Sequence, residues 1–256
     1  VRTAFAELGR MDKADRQRAL TNLAGMKHPA AAEALALAME MPYRDVRLSA
    51  ARALADRGDT RSIPGLLELI GEDDYNTVWD AAWGLVRIGG DEAVPGLIEA
   101  MRTNNAHTQK AASYALAQIG ETAFESLLEA RHDPDERVRL GAYEALGEIG
   151  EPAAQHIVAD LAIDDEQVRR VASNLIEKIG EPTVIPLIRL LRSEDADTRK
   201  AAGKALVALG DTAVEGLSRG LRANNEQISR ACVVLLERID TDAALDALYE
   251  WKQENR

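Results

Sequence analysis

One helix ending recurs along this chain at an almost constant interval. It reads Leu85-Val86-Arg87-Ile88-Gly89, Leu116-Ala117-Gln118-Ile119-Gly120, Leu146-Gly147-Glu148-Ile149-Gly150, Ile176-Glu177-Lys178-Ile179-Gly180 and Leu206-Val207-Ala208-Leu209-Gly210, at spacings of 31, 30, 30 and 30 residues. A fixed period of this length marks stacked supersecondary units, each too small to bury its own apolar face alone. Weaker copies end at Lys27, Gly58 and Asp240, so eight such helices run from about Asp15 to Asp240. Residues 1–256 therefore read as one repeat domain with units ending near 27, 58, 89, 120, 150, 180, 210 and 240, followed by a capping helix over 242–254.

The terminal glycine suits a helix stop, because it enters the left-handed conformation without a Cβ clash. An acidic residue or threonine often follows, as in Glu151-Pro152, Glu181-Pro182 and Asp211-Thr212, which is the chemistry of a new helix start. Pro64, Pro95 and Pro186 each lie six residues past their glycine, near a first turn where a missing N–H is tolerated. Each unit thus holds two helices, A (for example Thr183 to Leu191) and B (for example Asp197 to Leu209), joined by polar loops. No segment alternates with strand period.

With the glycine as position 13 of the B helix, positions 1, 5, 8, 9 and 12 are mostly Val/Thr, Ala, Ala, Leu and Ile/Leu, which share one face at about 100° per residue. Position 5 reads Ala19, Ala50, Ala81, Ala112, Ala142, Ala172, Ala202 and Cys232. The single cysteine therefore occupies a small-residue slot where helices approach, and reads as packing rather than as a nucleophile. Arginine at position 2 (Arg16, Arg47, Arg139, Arg169, Arg199) is expected to tie one repeat to another.

The segment Val138-Arg139-Leu140-Gly141-Ala142-Tyr143-Glu144-Ala145-Leu146-Gly147-Glu148-Ile149-Gly150 resembles HEAT repeats, and in particular the short HEAT-like class named for phycobilisome lyases. The resemblance covers nearly the whole chain. It implies an all-α, right-handed α-α superhelix of about eight two-helix repeats plus a terminal helix, with B helices lining a concave face. It says little of activity, since solenoids of this type serve as scaffolds, adaptors, lyase subunits and a few enzymes.

Charge and composition narrow the partners. The formal charge of −12, from 31 basic and 43 acidic residues, disfavours non-specific attraction to nucleic acid or anionic lipid. No stretch approaches the roughly 18 apolar residues of a membrane span. The first ten residues, with Glu7 and no apolar run, do not read as a secretory signal. With one cysteine, these features point to a reducing, cytoplasmic setting.

Positions 3, 7 and 10 of the B helices point away from the core and should line the groove. Counted over all eight repeats they carry Arg52, Lys110, Arg170, Lys200, Lys204 and Arg230 against Glu144, Glu177 and Glu237, a net +3 on an acidic molecule. Trp79 and Trp83 stand one turn apart and align with Tyr114 of the next repeat, with Leu48 and Val86 nearby and Tyr143 as a candidate extension. Exposed tryptophan and tyrosine are the residue types most enriched at binding hot spots.

Catalytic readings rank lower. The resemblance extends in architecture to deoxyhypusine hydroxylase, which binds a di-iron centre through His-Glu pairs, but His28, His107, His132 and His156 are followed by Pro29, Thr108, Asp133 and Ile157. No metal and no cofactor are expected. HEAT-like alkylpurine DNA glycosylases invite comparison through Trp79, Trp83 and Asp80, but the basic stripe is thin for DNA. A phycobilin lyase or isomerase-like subunit is the other alternative, with no residue assignable to its chemistry. The acidic clusters Asp164-Asp165-Glu166 and Glu194-Asp195-Ala196-Asp197 read as helix caps rather than calcium loops. The sequence thus points to a non-enzymatic scaffold or adaptor whose groove takes a protein segment or helix, with Trp79, Trp83 and Tyr114 as anchors and the basic residues selecting an acidic stretch.

Overall fold

The computed structural model describes residues 11–255; the leader reading made on Glu7 and its neighbours lies outside them. Sixteen α-helices and no strand occur among the described residues. The odd-numbered helices are the B helices: α1 (Lys13–Gly25), α3 (Arg44–Ala55), α5 (Tyr75–Ile88), α7 (Ala106–Ile119), α9 (Glu136–Ile149), α11 (Glu166–Ile179), α13 (Ala196–Ala208) and α15 (Glu226–Ile239). The even-numbered helices are the A helices: α2 (Pro29–Ala38), α4 (Ile63–Ile70), α6 (Val94–Ala100), α8 (Glu121–Ala130), α10 (Ala154–Ala159), α12 (Val184–Leu190), α14 (Asp211–Leu221) and α16 (Asp242–Glu254). The described residues gather into two compact units that divide between Ala145 and Leu146.

Within each unit the helices form two layers. Odd helices stack on odd (α1 on α3 on α5 on α7; α11 on α13 on α15), even on even (α4 on α6 on α8; α10 on α12 on α14 on α16), and the A and B helices of a repeat pack together in α2/α3, α4/α5, α6/α7, α10/α11, α12/α13 and α14/α15. This is an α-solenoid. Its core follows the register. Position 5 is fully buried at Ala50, Ala81, Ala112, Ala142, Ala172, Ala202 and Cys232, and position 9 at Leu54, Leu85, Leu116, Leu146, Ile176, Leu206 and Leu236. Small residues at position 5 let helix backbones approach, while the position 9 side chains fill the space between layers. Burial pushes the Cys232 thiol up to about 11, so it stays protonated and packs as a small apolar group.

The helix stops follow from backbone conformation. Gly89, Gly120 and Gly180 have φ of 63°, 69° and 75°, and their N–H groups close on the carbonyls of Leu85, Leu116 and Ile176. Asp240 takes the same left-handed place at φ 52°. The first repeat, which lacks the glycine, is closed differently. Arg57 of the following repeat donates to the carbonyls of Leu23 (2.9 Å), Ala24 (3.0 Å) and Met26, serving the orphan acceptors at the end of α1. Helix starts are capped by the side chains of Asp74, Asn105, Asp165, Asp195 and Asn225. The two acidic clusters therefore supply caps for α11 and α13.

Position 2 has a different role from the one its sequence suggests. Its side chain bonds the carbonyl six residues upstream, inside its own A–B turn: Arg47 to Met41 (3.2 Å), Gln109 to Thr103 (2.6 Å), Arg139 to Asp133 (2.9 Å), Arg169 to Ile163 (2.7 Å) and Arg199 to Ser193 (2.7 Å). Only Arg16, on Asp45 at 3.1 Å, and Arg47, on Glu68, also pair with another repeat. Val78 breaks the series and is buried instead. The carbonyl it would have served, that of Glu72, accepts from Asn105 Nδ2 of the next repeat at 3.1 Å.

Candidate functional site

In each unit the outward positions of the odd helices carry the residues assigned to the groove from sequence, and the two units differ in kind. In the first unit α5 presents Tyr75, Trp79 and Trp83 at four-residue spacing, which sets them one above another on a single face. Position 3 of α5 faces position 7 of α7, so Tyr114 falls between the two tryptophans. The ring centroids of Trp79 and Trp83 lie 5.4 and 5.3 Å from Tyr114, in edge-on geometry, and Tyr75 lies 6.1 Å from Trp79 and 5.3 Å from His107. Such edge-to-face pairs add about 0.5–1.5 kcal/mol each beyond burial.

The three sequence-predicted anchors are thus brought together but are unequally exposed. Trp83 is 47% exposed, whereas Trp79 and Tyr114 are half-buried. The Trp79 indole Nε1 is shut off from solvent with no hydrogen-bond partner among the described residues. Leu48 and Val86 are half-buried as well. Tyr143 does not extend the patch: it is 2% exposed and belongs to the core. Position 6 is buried in earlier repeats too, at Ala51, Ala82 and Ser113, so the buried face of a B helix is wider than the five positions read from sequence. Tyr75 and His107 were missed because only positions inside the 13-residue register were scanned; the i, i+4, i+8 spacing of Tyr75, Trp79 and Trp83 was the available signal.

The basic residues divide. Arg52 faces Asp80 of the next repeat at 3.5 Å and Arg230 pairs with Glu226 one turn before it, two carboxylates outside the positions counted from sequence. Lys110, Arg170, Lys200 and Lys204 are exposed and have no carboxylate partner among the described residues. In the second unit, Lys200 and Lys204 on α13 stand across from Arg230, Val234 and Arg238 on α15. Between them lies a cleft of about 550 Å³ whose floor is Leu191, Gly203, Ala231 and Leu235. Arg238, at position 11, completes the cationic rim and was not counted from sequence. A second cleft of about 700 Å³, between α11 and α13, shares Lys200 and Lys204 but mixes them with Asp164, Asp195 and Asp197.

Of the histidines, His28 caps α2 through its ring Nδ1 and His107 packs on Tyr75. No group of three or more His, Cys, Asp or Glu among the described residues is placed to hold a metal ion, and no helix among them is long and apolar enough to cross a membrane.

The pattern of HEAT repeats matches residues 1–82 and 95–176, well over half of the chain. The chain belongs to the HEAT-repeat family. Within this HEAT-repeat chain the PBS lyase HEAT-like repeat matches residues 78–103, which include Trp79 and Trp83. Similar solved structures include an engineered protein at 21% identity, covering 94% of this chain and 79% of that one with a TM-score of 0.38. The complex of CpcE and CpcF of phycocyanin lyase from Nostoc sp. PCC7120 is 19% identical, covering 90% and 97% with a TM-score of 0.37. Human deoxyhypusine hydroxylase in complex with glycerol is 20% identical, covering 90% and 91% with a TM-score of 0.34. No curated protein matches the chain.

Proposed function

We propose that this HEAT-repeat protein is a non-enzymatic scaffold that holds a protein segment against the outward face of its odd helices. The observation that carries the reading is the aromatic row of α5 and α7. Trp79 and Trp83 each meet Tyr114 edge to face at positions the register turns to solvent, Tyr75 extends the row in a tilted contact with Trp79, and Trp83 and Tyr75 keep about half their surface open, at 47% and 54%. Rigid aromatics held in place by one another lose little entropy on binding, and Trp and Tyr dominate interface energetics. The exposed cations Arg170, Lys200 and Lys204 of the second unit serve selectivity, favouring a partner with acidic residues.

The test is affinity capture with the wild type beside Trp83→Ala, followed by direct titration of any protein lost selectively. Trp83 is exposed enough that its truncation leaves the fold intact. We expect the variant to lose about 2 kcal/mol or more of binding energy, as for a hot-spot tryptophan. Unchanged affinity for a verified partner defeats the anchor role. A coloured tetrapyrrole in the eluate, or release of a base from alkylated DNA, replaces the scaffold reading with a lyase-like or glycosylase function.

A further inference from the structure

The cleft between α13 and α15 has a more specific occupant than an acidic stretch in general. We infer that it receives an acidic amphipathic helix in which one apolar side chain is flanked, one turn before and one turn after, by carboxylates. This deepens the scaffold reading above and rests on it.

The argument starts from the wall that α15 provides. Arg230, Val234 and Arg238 are four residues apart, so they rise along one stripe as cation, apolar group, cation, about 6 Å between neighbours at 1.5 Å per residue. Val234 is 51% exposed, and the adjoining floor of Gly203, Ala231 and Leu235 is apolar. The opposite wall repeats the charge with Lys200 and Lys204, again one turn apart. Five cations line the cleft, counting Arg199, and no carboxylate does. Arg199 is committed to the carbonyls of Ser193 and Glu194 at 2.7 and 2.8 Å, so Lys200, Lys204 and Arg238 face the occupant, together with Arg230, whose charge is shared with Glu226. Glu226, paired with Arg230, and the exposed Glu237 are the nearest counter-charges on α15. On a chain of net charge −12 this is a local inversion of sign.

The same geometry decides between a helix and an extended segment. An extended peptide brings unpaired main-chain N–H and C=O groups, which must be satisfied where water is displaced. The cations of the lining can donate to a peptide's carbonyls, but the only side-chain acceptor there for its N–H groups is Oε1 of Gln227, whose Nε2 donates to the Leu191 carbonyl at 3.1 Å. A helix satisfies its own backbone. Laid alongside α15 it also shares the rise of 1.5 Å per residue, so a Glu-x3-Leu-x3-Glu face stays in register with Arg230, Val234 and Arg238.

The probe is a fluorescent synthetic helix carrying that Glu-x3-Leu-x3-Glu face, titrated by anisotropy against the full chain. Lys200→Glu/Lys204→Glu, two exposed positions, should weaken binding at least tenfold, as should Leu→Ser in the probe, and added salt should weaken it further. Asp246→Ala, at an exposed position on α16 outside the lining, should leave it unchanged. The inference is overturned if the Leu→Ser probe binds as well as the parent, if Asp246→Ala is as damaging as the lysine pair, or if single-stranded DNA competes better than the acidic helix. If the probe does not bind but a verified partner still depends on Trp83, this occupant is wrong and the scaffold reading stands.

Discussion

The helix pairs α5/α7 and α13/α15 are built on one register and end up with opposite surfaces. Positions 3 and 7 hold Trp79, Trp83 and Tyr114 in the first pair, and Lys200, Lys204, Arg230 and Val234 in the second. In the first pair the rings fill the space between neighbouring helices by packing on each other at 5.3–5.4 Å. In the second, long cationic side chains reach toward water and leave an apolar-floored cleft of about 550 Å³. The frame beneath is the same: Ala81 and Ala112 in one pair, Ala202 and Cys232 in the other, are all fully buried at position 5. The outward positions can therefore differ widely from repeat to repeat on an unchanged frame, because the packing between layers rests on positions 5 and 9.

The sharpest way to break this comparison is to strike the shared frame. Ala112→Leu and Ala202→Leu each insert three carbons where the side chain has no exposed surface and should destabilise by about 1–3 kcal/mol or more. Urea unfolding of each variant measures it. A loss at only one of the two sites means that the pairs do not share a packing frame.

The outward positions should respond unequally. Trp79→Ala removes a half-buried ring held between Tyr75 and Tyr114 and should cost about 1–2 kcal/mol, less than the 3–5 kcal/mol of a fully buried tryptophan. Lys204→Ala, at an exposed position without an ion partner, should stay within about 0.5 kcal/mol. Equal losses would show that the lysine row also holds the fold together, and would undercut its assignment to a ligand.

This asymmetry also explains which parts of the molecule were legible in the sequence. Positions 5 and 9 and the glycine stops answer to one-dimensional rules of helical period and backbone conformation, so they could be placed without coordinates. Positions 2 and 6 depend on what the neighbouring turn and helix supply. Arg169 looks like a surface charge until the Ile163 carbonyl beside it is seen, and Tyr143 looks like a groove residue until the full width of the B-helix core is known. The aromatic anchors were legible as a spacing, but their burial was not, because Tyr114 reaches the tryptophans from another helix. Asp80 and Glu226 lie outside the counted positions, so the groove charge read from sequence omitted the partners of Arg52 and Arg230.

The smallest effect concerns the caps, where the two pairs should behave alike. Asp74 starts α5 by accepting from Thr77 N at 2.8 Å, and Asp195 starts α13 by accepting from Thr198 N and Oγ1, both at 2.6 Å. Hydrogen bonds from the threonine side chain, then from its amide, hold both carboxyls below the usual carboxylate range. A carboxyl with a lower pKa folded than unfolded contributes stability that is fully present above the unfolded value of about 3.9 and is lost as pH falls through the folded value. Asparagine caps comparably but does not titrate there. Asp74→Asn and Asp195→Asn should therefore leave Tm near neutral pH almost unchanged and slightly flatten its fall below about pH 4, to the same degree in both variants. The slopes stay shallow because Asp133, held down by Arg102, and Asp135, held at about 2 by Arg137, still titrate in each variant. Thermal melts across the acid range check this, and a change in only one variant would mean that the two helix starts are held by different interactions despite their matching cap geometry.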